Sequence, residues 1–549
     1  MARLFFAVLG CWTFLACWTG STVSGAEELS TVVSKLDRLL EAHWQSRGVA
    51  PAPPATSAEL ARRVSLDLLG RVPTVRESES VTAGKDKNES PGKGGPTNSV
   101  ADAHATHVDR LLRSAEFPLF FGTVLDEMVQ GRLAGNEAFV DYLRQALSTG
   151  KSWERVFREV IAGGAEGESA KQAALFVDKR AKDIDQLTVD TARGFFGVDI
   201  SCARCHDHPL VADWTQFHYY GLAAFLRAPT GNKSKGDSAA DNDIKFLARN
   251  GQEQTARMMF LSGKSFDEWK TAAPAPADEA VRWSPRRRLV EMAVTDRDFL
   301  SRALANRLWE QLLGRGLVEP VDQLHSSNPP SIPGVLELLA ADLADHSYDP
   351  RRTIRVITLS RAYRASSQSE AETAGAMAAP SDFASMRIKP LSPRQFAVSL
   401  LIAAGNQAFD ERSASDQRLA RILQVDGLTQ AERILEMESA VNQLVPRFDP
   451  RTADFQSSAR EALFVSNSDA IQRLVAADGK NLAARMAQAT DDAAAVTMAF
   501  AALLQRPPSA SERELFAKHL QGVDMAARPL RCADLVWALA TSAEFRFNH

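Results

Sequence analysis

Apolar residues in this chain recur at intervals of three and four, and this spacing is the strongest constraint on its fold. In the clearest case, Leu36, Leu40 and Trp44 fall on one face of a helix. The same spacing runs through Phe139–Leu147 and stops before Gly150, and glycine just beyond the last periodic residue is a typical helix end. Alternating apolar and polar residues, the pattern of a half-buried strand, are scarce. The sequence therefore predicts an all-α protein, mainly helical with little sheet.

The chain is long enough for more than one domain. It has 549 residues, whereas a typical domain has roughly 100–200. Polar stretches rich in Lys, Gly, Pro or Ala interrupt the helical pattern, and they lie at residues 85–98, 229–243, 272–280 and 366–385. The longest break places a linker or insertion at residues 229–280. We therefore predict two helical domains with polar insertions, one at residues 30–228 and the other at residues 281–549.

Charged residues are nearly balanced in sign. Lys and Arg number 64 and Asp and Glu number 68, so the formal net charge is −4. Proteins that bind nucleic acids or anionic membrane surfaces normally carry a strong basic excess or a basic face. We therefore expect no nucleic-acid partner.

The N-terminus has the layout of a secretory signal peptide. A basic start precedes the apolar run Leu4–Trp18, and small residues end at Ala26. The run is shorter than the ~20 residues that a membrane-spanning helix needs. We expect a signal peptide over residues 1–26 and export to the periplasm, the cell envelope or the medium, with no transmembrane span after cleavage. An uncleaved anchor, or a lipid on Cys17 in a poorly matching lipobox, is the alternative.

Cys202, Cys205 and His206 form a Cys-x-x-Cys-His motif. Two thiols at this spacing on a turn can bond both vinyl groups of one haem, and the adjacent histidine can then bind the iron. The motif predicts one haem c attached to Cys202 and Cys205, with His206 as an axial ligand of the haem iron. The candidates for the sixth ligand are His218, Met258 and Met259, with His104 and His107 as further options.

Zinc is the first alternative cofactor. Cys202, Cys205, His208 and His218 supply two thiolates and two imidazoles, a set that tetrahedral zinc accepts. Nine residues separate the two histidines, however, which is wider than the usual finger spacing. A disulfide between the cysteines, or a redox-active dithiol, is the second alternative. A dithiol site normally follows a strand, whereas the preceding segment Ile184–Phe196 has a helical pattern.

Short segments in both halves of the chain follow a recognisable order. In the first half they are Arg62–Gly70, Gly194–Val198, Cys202–Leu210 and Gly221–Phe225. In the second half they are Asn306–Trp309, Leu313–Val318, Asn328–Ser331, Ser360–Arg364 and Thr541–Phe545. This order resembles a planctomycete secreted two-domain family, in which a cytochrome-c-associated domain of unknown function is fused to the planctomycete secreted domain. The resemblance implies a secreted two-domain protein and brings no defined activity.

The sequence as a whole predicts an exported protein of uncharacterised function that binds one covalent haem c for electron transfer or redox chemistry. Its expected partner is a redox or cell-envelope protein. The alternative is a non-redox secreted binding or scaffold protein whose motif holds zinc or a disulfide, without haem. No hydrolase, metalloprotease, nucleotide-binding or dinucleotide-binding motif occurs in the chain, so the sequence assigns no enzyme class.

Overall fold

The structure is a computed structural model, and it describes most of the chain. The described residues are 21–82, 97–131, 134–227, 242–272, 284–367, 378–404, 472, 474–479 and 481–549. The predicted signal peptide falls on residues 1–26, of which 1–20 lie outside these ranges. Most of the predicted insertion at residues 85–98 also lies outside them.

The described residues form 22 α-helices and two small two-stranded sheets, which confirms the predicted all-α fold. The first ten helices are α1 (Ser21–Arg47), α2 (Ser57–Leu69), α3 (Val75–Thr82), α4 (Thr97–Arg113), α5 (Glu116–Gln130), α6 (Glu137–Ser148), α7 (Trp153–Ala162), α8 (Gly167–Asp178), α9 (Ile184–Phe196) and α10 (Gln216–Leu226). The next seven are α11 (Phe266–Ala272), α12 (Pro285–Asp296), α13 (Asp298–Leu313), α14 (Val335–Asp345), α15 (Pro350–Leu359), α16 (Arg361–Arg364) and α17 (Pro393–Ala404). The last five are α18 (Leu482–Ala487), α19 (Asp492–Leu503), α20 (Ala510–Leu520), α21 (Arg528–Ala540) and α22 (Ala543–Arg546). No helix in the described ranges is long and apolar enough to cross a membrane.

Part of the predicted linker at residues 229–280 is folded. Strands β1 (Ile244–Leu247) and β2 (Glu253–Ala256) form an antiparallel hairpin. Phe246 and Phe260 of this region are buried in contact with neighbouring aromatic rings. The flanking residues are polar, so the sequence pattern did not indicate that these few apolar residues are buried. The second sheet pairs β3 (Lys389–Pro390) with β4 (Phe547–Asn548) and so joins the start of α17 to the end of the chain.

Local capping sets the helix ends. Thr56 accepts a hydrogen bond from the amide of Glu59 at the start of α2, and Gly70 ends that helix in a left-handed conformation. The spacing between Pro350 and Tyr363 predicts one continuous helix, but the structure breaks it at Ser360. The Ser360 backbone is extended and its hydroxyl accepts from the amide of Tyr363, so this serine starts the new helix α16.

The apolar side chains form two cores, and α2 lies between them. The larger core contains residues of α1, of α4–α10 and of α12–α15, together with Val64 and Leu68 of α2. The smaller core contains residues of α17–α22 and Leu66 of α2. The larger core therefore contains residues from both sides of the predicted boundary at residues 229–280.

A group of buried polar side chains, which we call the polar junction, joins α2 to the end of the chain. The Asp67 carboxylate accepts from Lys389 Nζ at 2.6 Å, Tyr363 Oη at 2.8 Å and Asn548 Nδ2 at 2.9 Å. Arg62 donates to the carbonyls of residues in the smaller core, among them Phe545 at 2.9 Å. Burial lowers the pKa of Arg62 to about 10, so the guanidinium is still charged at neutral pH.

Candidate functional site

The Cys-x-x-Cys-His motif lies on a short connection between α9 and α10, which we call the cysteine loop (residues 197–215). Gly197 ends α9 in a left-handed conformation with φ +65°. Asp199 then accepts from the amide of Ser201, where a single 3₁₀ turn, Ser201–Arg204, begins. The predicted helix Ile184–Phe196 before the motif is confirmed to the residue.

This turn places the two thiols together on the surface. The amide of Cys205 donates to the carbonyl of Cys202 at 3.3 Å, which closes the turn. Side chains three residues apart are eclipsed in a 3₁₀ helix, so Cys202 and Cys205 lie on the same side. Both are exposed and free, while Ala203 between them is fully buried and anchors the turn to the larger core. The arrangement offers two adjacent, accessible thiols.

Among the described residues, the His206 ring forms a hydrogen bond through one nitrogen, Nδ1. Its Nδ1 is 2.8 Å from the carbonyl oxygen of Asp207, and since a carbonyl can only accept, Nδ1 carries the proton. The lone pair is therefore on Nε2. Histidines that bind metals commonly donate Nδ1–H to a backbone carbonyl and bind through Nε2. His206 is thus prepared to act as a ligand.

Helices α9 and α10 hold the cysteine loop from two sides. The Asp207 carboxylate accepts from the amide of Gln216, the first residue of α10, at 2.8 Å. Tyr220 of α10 donates its hydroxyl to the carbonyl of Arg204 at 3.0 Å. Arg204 in turn forms a 2.7 Å ion pair with Asp185 of α9. The backbone around the motif is therefore fixed although the thiols are exposed.

The two histidines of the alternative zinc set use their ring nitrogens for backbone contacts. His208 Nδ1 accepts from the amides of Leu210 and Val211. His218 Nδ1 accepts from the amide and the hydroxyl of Thr215 and completes the capping box of α10. Both residues would have to give up these contacts to present Nδ1 to a metal. In the described part of the chain, no three His, Cys, Asp or Glu side chains are arranged to hold a metal ion.

The other candidates for the sixth haem ligand lie in packed surroundings. Met258 is buried in the larger core, and the amide of Met259 donates to the carbonyl of Gly221 on α10. His104 and His107 are buried on α4, where His104 Nε2 donates to the carbonyl of Thr358 at 2.9 Å. Burial lowers the pKa of both histidines to about 4, which keeps them neutral at pH 7.

Apolar side chains flank the cysteine loop at the surface. Leu210 is 84% exposed and Phe217 of α10 is 41% exposed. Tyr220 stacks on Phe246 with ring centroids 4.4 Å apart, and Phe217 meets the same ring edge-on at 5.3 Å. The thiols therefore adjoin a surface that is partly apolar and aromatic.

Residues of the second half of the chain contact the cysteine loop, and the sequence did not predict these contacts. Val198 pairs with Gln323 in an isolated antiparallel bridge. Ser326 donates both its amide and its hydroxyl to the Asp213 carboxylate, at 2.7 and 2.5 Å. These residues are more than 100 positions apart, and no periodicity or short motif indicates such a contact.

Comparison with protein families divides the chain into two matched parts. Residues 35–230, which include the cysteine loop, match the family PSCyt2, a protein of unknown function (DUF1549). Residues 285–520, which include Ser326, match PSD1, a protein of unknown function (DUF1553). Each matched part corresponds to a domain of unknown function. The cysteine loop lies in the part that matches PSCyt2, and residues 323–326, in the part that matches PSD1, contact both of its ends. No curated protein and no solved structure matches the chain.

Proposed function

We propose that the PSCyt2 domain carries one haem c, bonded to Cys202 and Cys205 and bound through iron by His206, and that the protein transfers electrons. One observation carries this proposal: two exposed thiols share one side of a turn, and the next residue is a histidine whose Nε2 has no partner among the described residues. Haem attachment at this motif needs these groups at this spacing. The name PSCyt2 is in keeping with a cytochrome-like role.

The surroundings of the motif suit a haem. A macrocycle at the surface needs apolar contacts, and Leu210 and Phe217 expose apolar surface beside the loop. When bound, haem c supplies one-electron chemistry. The protein's part is to fix Nε2 of His206, through the Nδ1–H contact to Asp207, and to leave both thiols accessible. His218, Met258 and Met259 stay the predicted candidates for the sixth position.

The proposal includes export. Covalent haem attachment at such a motif follows export, so the predicted signal peptide at residues 1–26 and the motif support the same compartment. The protein would act in the periplasm, in the cell envelope or outside the cell. Its partner would be a redox or cell-envelope protein, and no nucleic acid is expected.

The decisive experiment is a haem-peroxidase stain and a pyridine haemochrome spectrum of the denatured protein, expressed in an exporting host with cytochrome c maturation. We expect a covalent haem band in the wild type. In Cys205→Ala at most one thioether bond can form, so the normal two-thioether spectrum is lost. Cys532→Ala is the matched control, because Cys532 is buried in the smaller core and lies outside the motif.

A colourless wild-type protein, or an unchanged spectrum in Cys205→Ala, would contradict the haem proposal. Zinc content and free-thiol number would then decide between the remaining candidates. One zinc per chain, lost in Cys205→Ala, would support a zinc-holding binding or scaffold protein. If the protein contains no metal and has two fewer free thiols than cysteines, Cys202 and Cys205 form a disulfide.

A further inference from the structure

The PSD1 domain contacts the beginning of the cysteine loop through a pair of backbone groups. The amide of Leu324 donates to the carbonyl of Gly197 at 3.0 Å, next to the Val198–Gln323 bridge. A Cβ atom on Gly197 would lie 2.7 Å from Leu324 Cδ1 and 3.2 Å from Ala303 Cβ. Position 197 therefore needs glycine both for its positive φ and for this close approach.

The same segment contacts the end of the loop two residues later. Ser326 donates twice to the Asp213 carboxylate, and these two hydrogen bonds lower the pKa of Asp213 although desolvation opposes them. Burial lowers the pKa of His325, which lies near Asp213, and the Asp213 carboxylate opposes this effect. Residues 323–326 thus hold both ends of the segment that contains Cys202, Cys205 and His206.

A short chain of hydrogen bonds and neighbouring residues connects Asp213, near the end of the cysteine loop, to His206. The carbonyl of Trp214, next to Asp213, accepts from the amide of His208 at 2.7 Å. His208 is two residues from His206, and the intervening Asp207 supplies the carbonyl that orients the His206 ring. A movement of Asp213 would therefore be transmitted to the His206 imidazole.

We propose that residues 323–326 of the PSD1 domain position the Cys202–His206 site, and that Ser326 and Asp213 are positioning residues for it. The inference rests on the proposed function only in taking Cys202–His206 as the functional site. It assigns the PSD1 domain a role: it fixes the orientation of the ligand histidine and the two thiols carried by the PSCyt2 domain.

The test uses the full chain with Ser326→Ala, Asp213→Asn and the conservative Ser326→Thr, which keeps the hydroxyl. Ser509→Ala is the matched control at the start of α20. The Ser509 amide donates to the Glu512 carboxylate, as the Ser326 amide does to Asp213, while the Ser509 hydroxyl accepts from the Glu512 amide. The readout is the midpoint potential of the attached haem. An exposed hydrogen bond to a carboxylate is weak, so we expect Ser326→Ala and Asp213→Asn to change the oxidised-to-reduced ratio at the wild-type midpoint by roughly two- to fivefold. Ser326→Thr and Ser509→Ala should match the wild type.

Equal potentials in all variants would overturn the inference, even if amide exchange in residues 198–213 became faster, because the contact would then be structural only. If the wild type carries no haem, the proposed function fails separately. The same variants are then compared through the thiol–disulfide potential of Cys202 and Cys205 in a glutathione titration. An unchanged thiol–disulfide potential would overturn the positioning role, and a two- to fivefold change in the equilibrium constant would support it.

Discussion

The cysteine loop and the polar junction use polar side chains in opposite ways. In the junction, the Asp67 carboxylate is surrounded by Lys389, Tyr363 and Asn548, and its oxygens are occupied by their donors. In the loop, the thiols of Cys202 and Cys205 are exposed and free. Asp, Lys, Tyr and Arg are common in active sites, but here their groups are used to join the two cores. The exposed, free thiols of the loop remain able to react or to bind a cofactor, whereas the groups of the junction are occupied by one another.

We expect the largest loss of stability from a substitution of Asp67 in the polar junction. Asp67→Ala removes the counter-ion of Lys389 and leaves a charge in a largely buried position, which typically costs about 3–5 kcal/mol. Denaturant unfolding of the variant measures this loss. The matched control is Asp345→Ala, which removes an exposed ion pair with Arg297 and should cost about 0–1 kcal/mol. Similar losses in the two variants would show that the junction adds no more than a surface pair.

A smaller effect is expected from the buried histidines of α4. The pKa of His104 and that of His107 are about 4 in the folded state, below the usual 6.5 of histidine. As pH falls below 6.5 the unfolded chain binds these protons first, so the free energy of unfolding decreases between pH 6.5 and pH 4. Each histidine would contribute about 2–3 kcal/mol to this decrease.

His104→Gln tests this pH dependence. Unfolding free energies measured by denaturant titration at several pH values should fall less steeply in the variant than in the wild type, over the same window. An equal slope in both proteins would mean that His104 is protonated alike in the folded and unfolded states. His107→Gln is the companion variant, since its ring is buried on the same helix.

The smallest expected effects on stability come from serine substitutions of an exposed and a buried cysteine. Cys205→Ser changes an exposed residue and should alter the unfolding free energy by no more than about 0.5 kcal/mol. Cys532→Ser places a hydroxyl in the smaller core, where an unpaired polar group costs about 1–3 kcal/mol. Thermal or denaturant unfolding of haem-free protein separates the two variants. A large loss in Cys205→Ser would show that the exposed turn has a structural role.

Much of the fold could be predicted from local sequence patterns. The helix α9 before the motif agrees with its predicted bounds to the residue. The pattern Ser509–Glu512 predicts a capped helix start, and Ser509 caps α20 with Glu512 completing the capping box. The nearby apolar stretch Leu535–Leu539 predicts that Cys532 is buried, and the structure confirms it. These features depend on residues within about four positions of one another, so a single sequence contains the necessary information.

Other features could not be predicted, because they depend on a single side chain, on a few apolar residues within a polar stretch, or on residues far apart in the sequence. The break at Ser360 comes from one hydroxyl that competes with the helix for a backbone amide. The folded hairpin at residues 244–256 lies within a stretch whose overall polarity suggested a linker. At the candidate site, the sequence identified Cys202, Cys205 and His206, but not Asp213 and Ser326. Their contact depends on how α9 and α13 pack.

The sequence by itself determined the helices, their caps and the spacing that puts two thiols and a histidine on one turn, because these follow from neighbouring residues. Only the tertiary structure decided that Asp67 meets Lys389 and that the part of the chain matching PSD1 reaches the cysteine loop. Asp67 and Lys389 are 322 positions apart, and Asp213 and Ser326 are 113. Contacts at such separations are set by the packing of the cores, which no local pattern specifies.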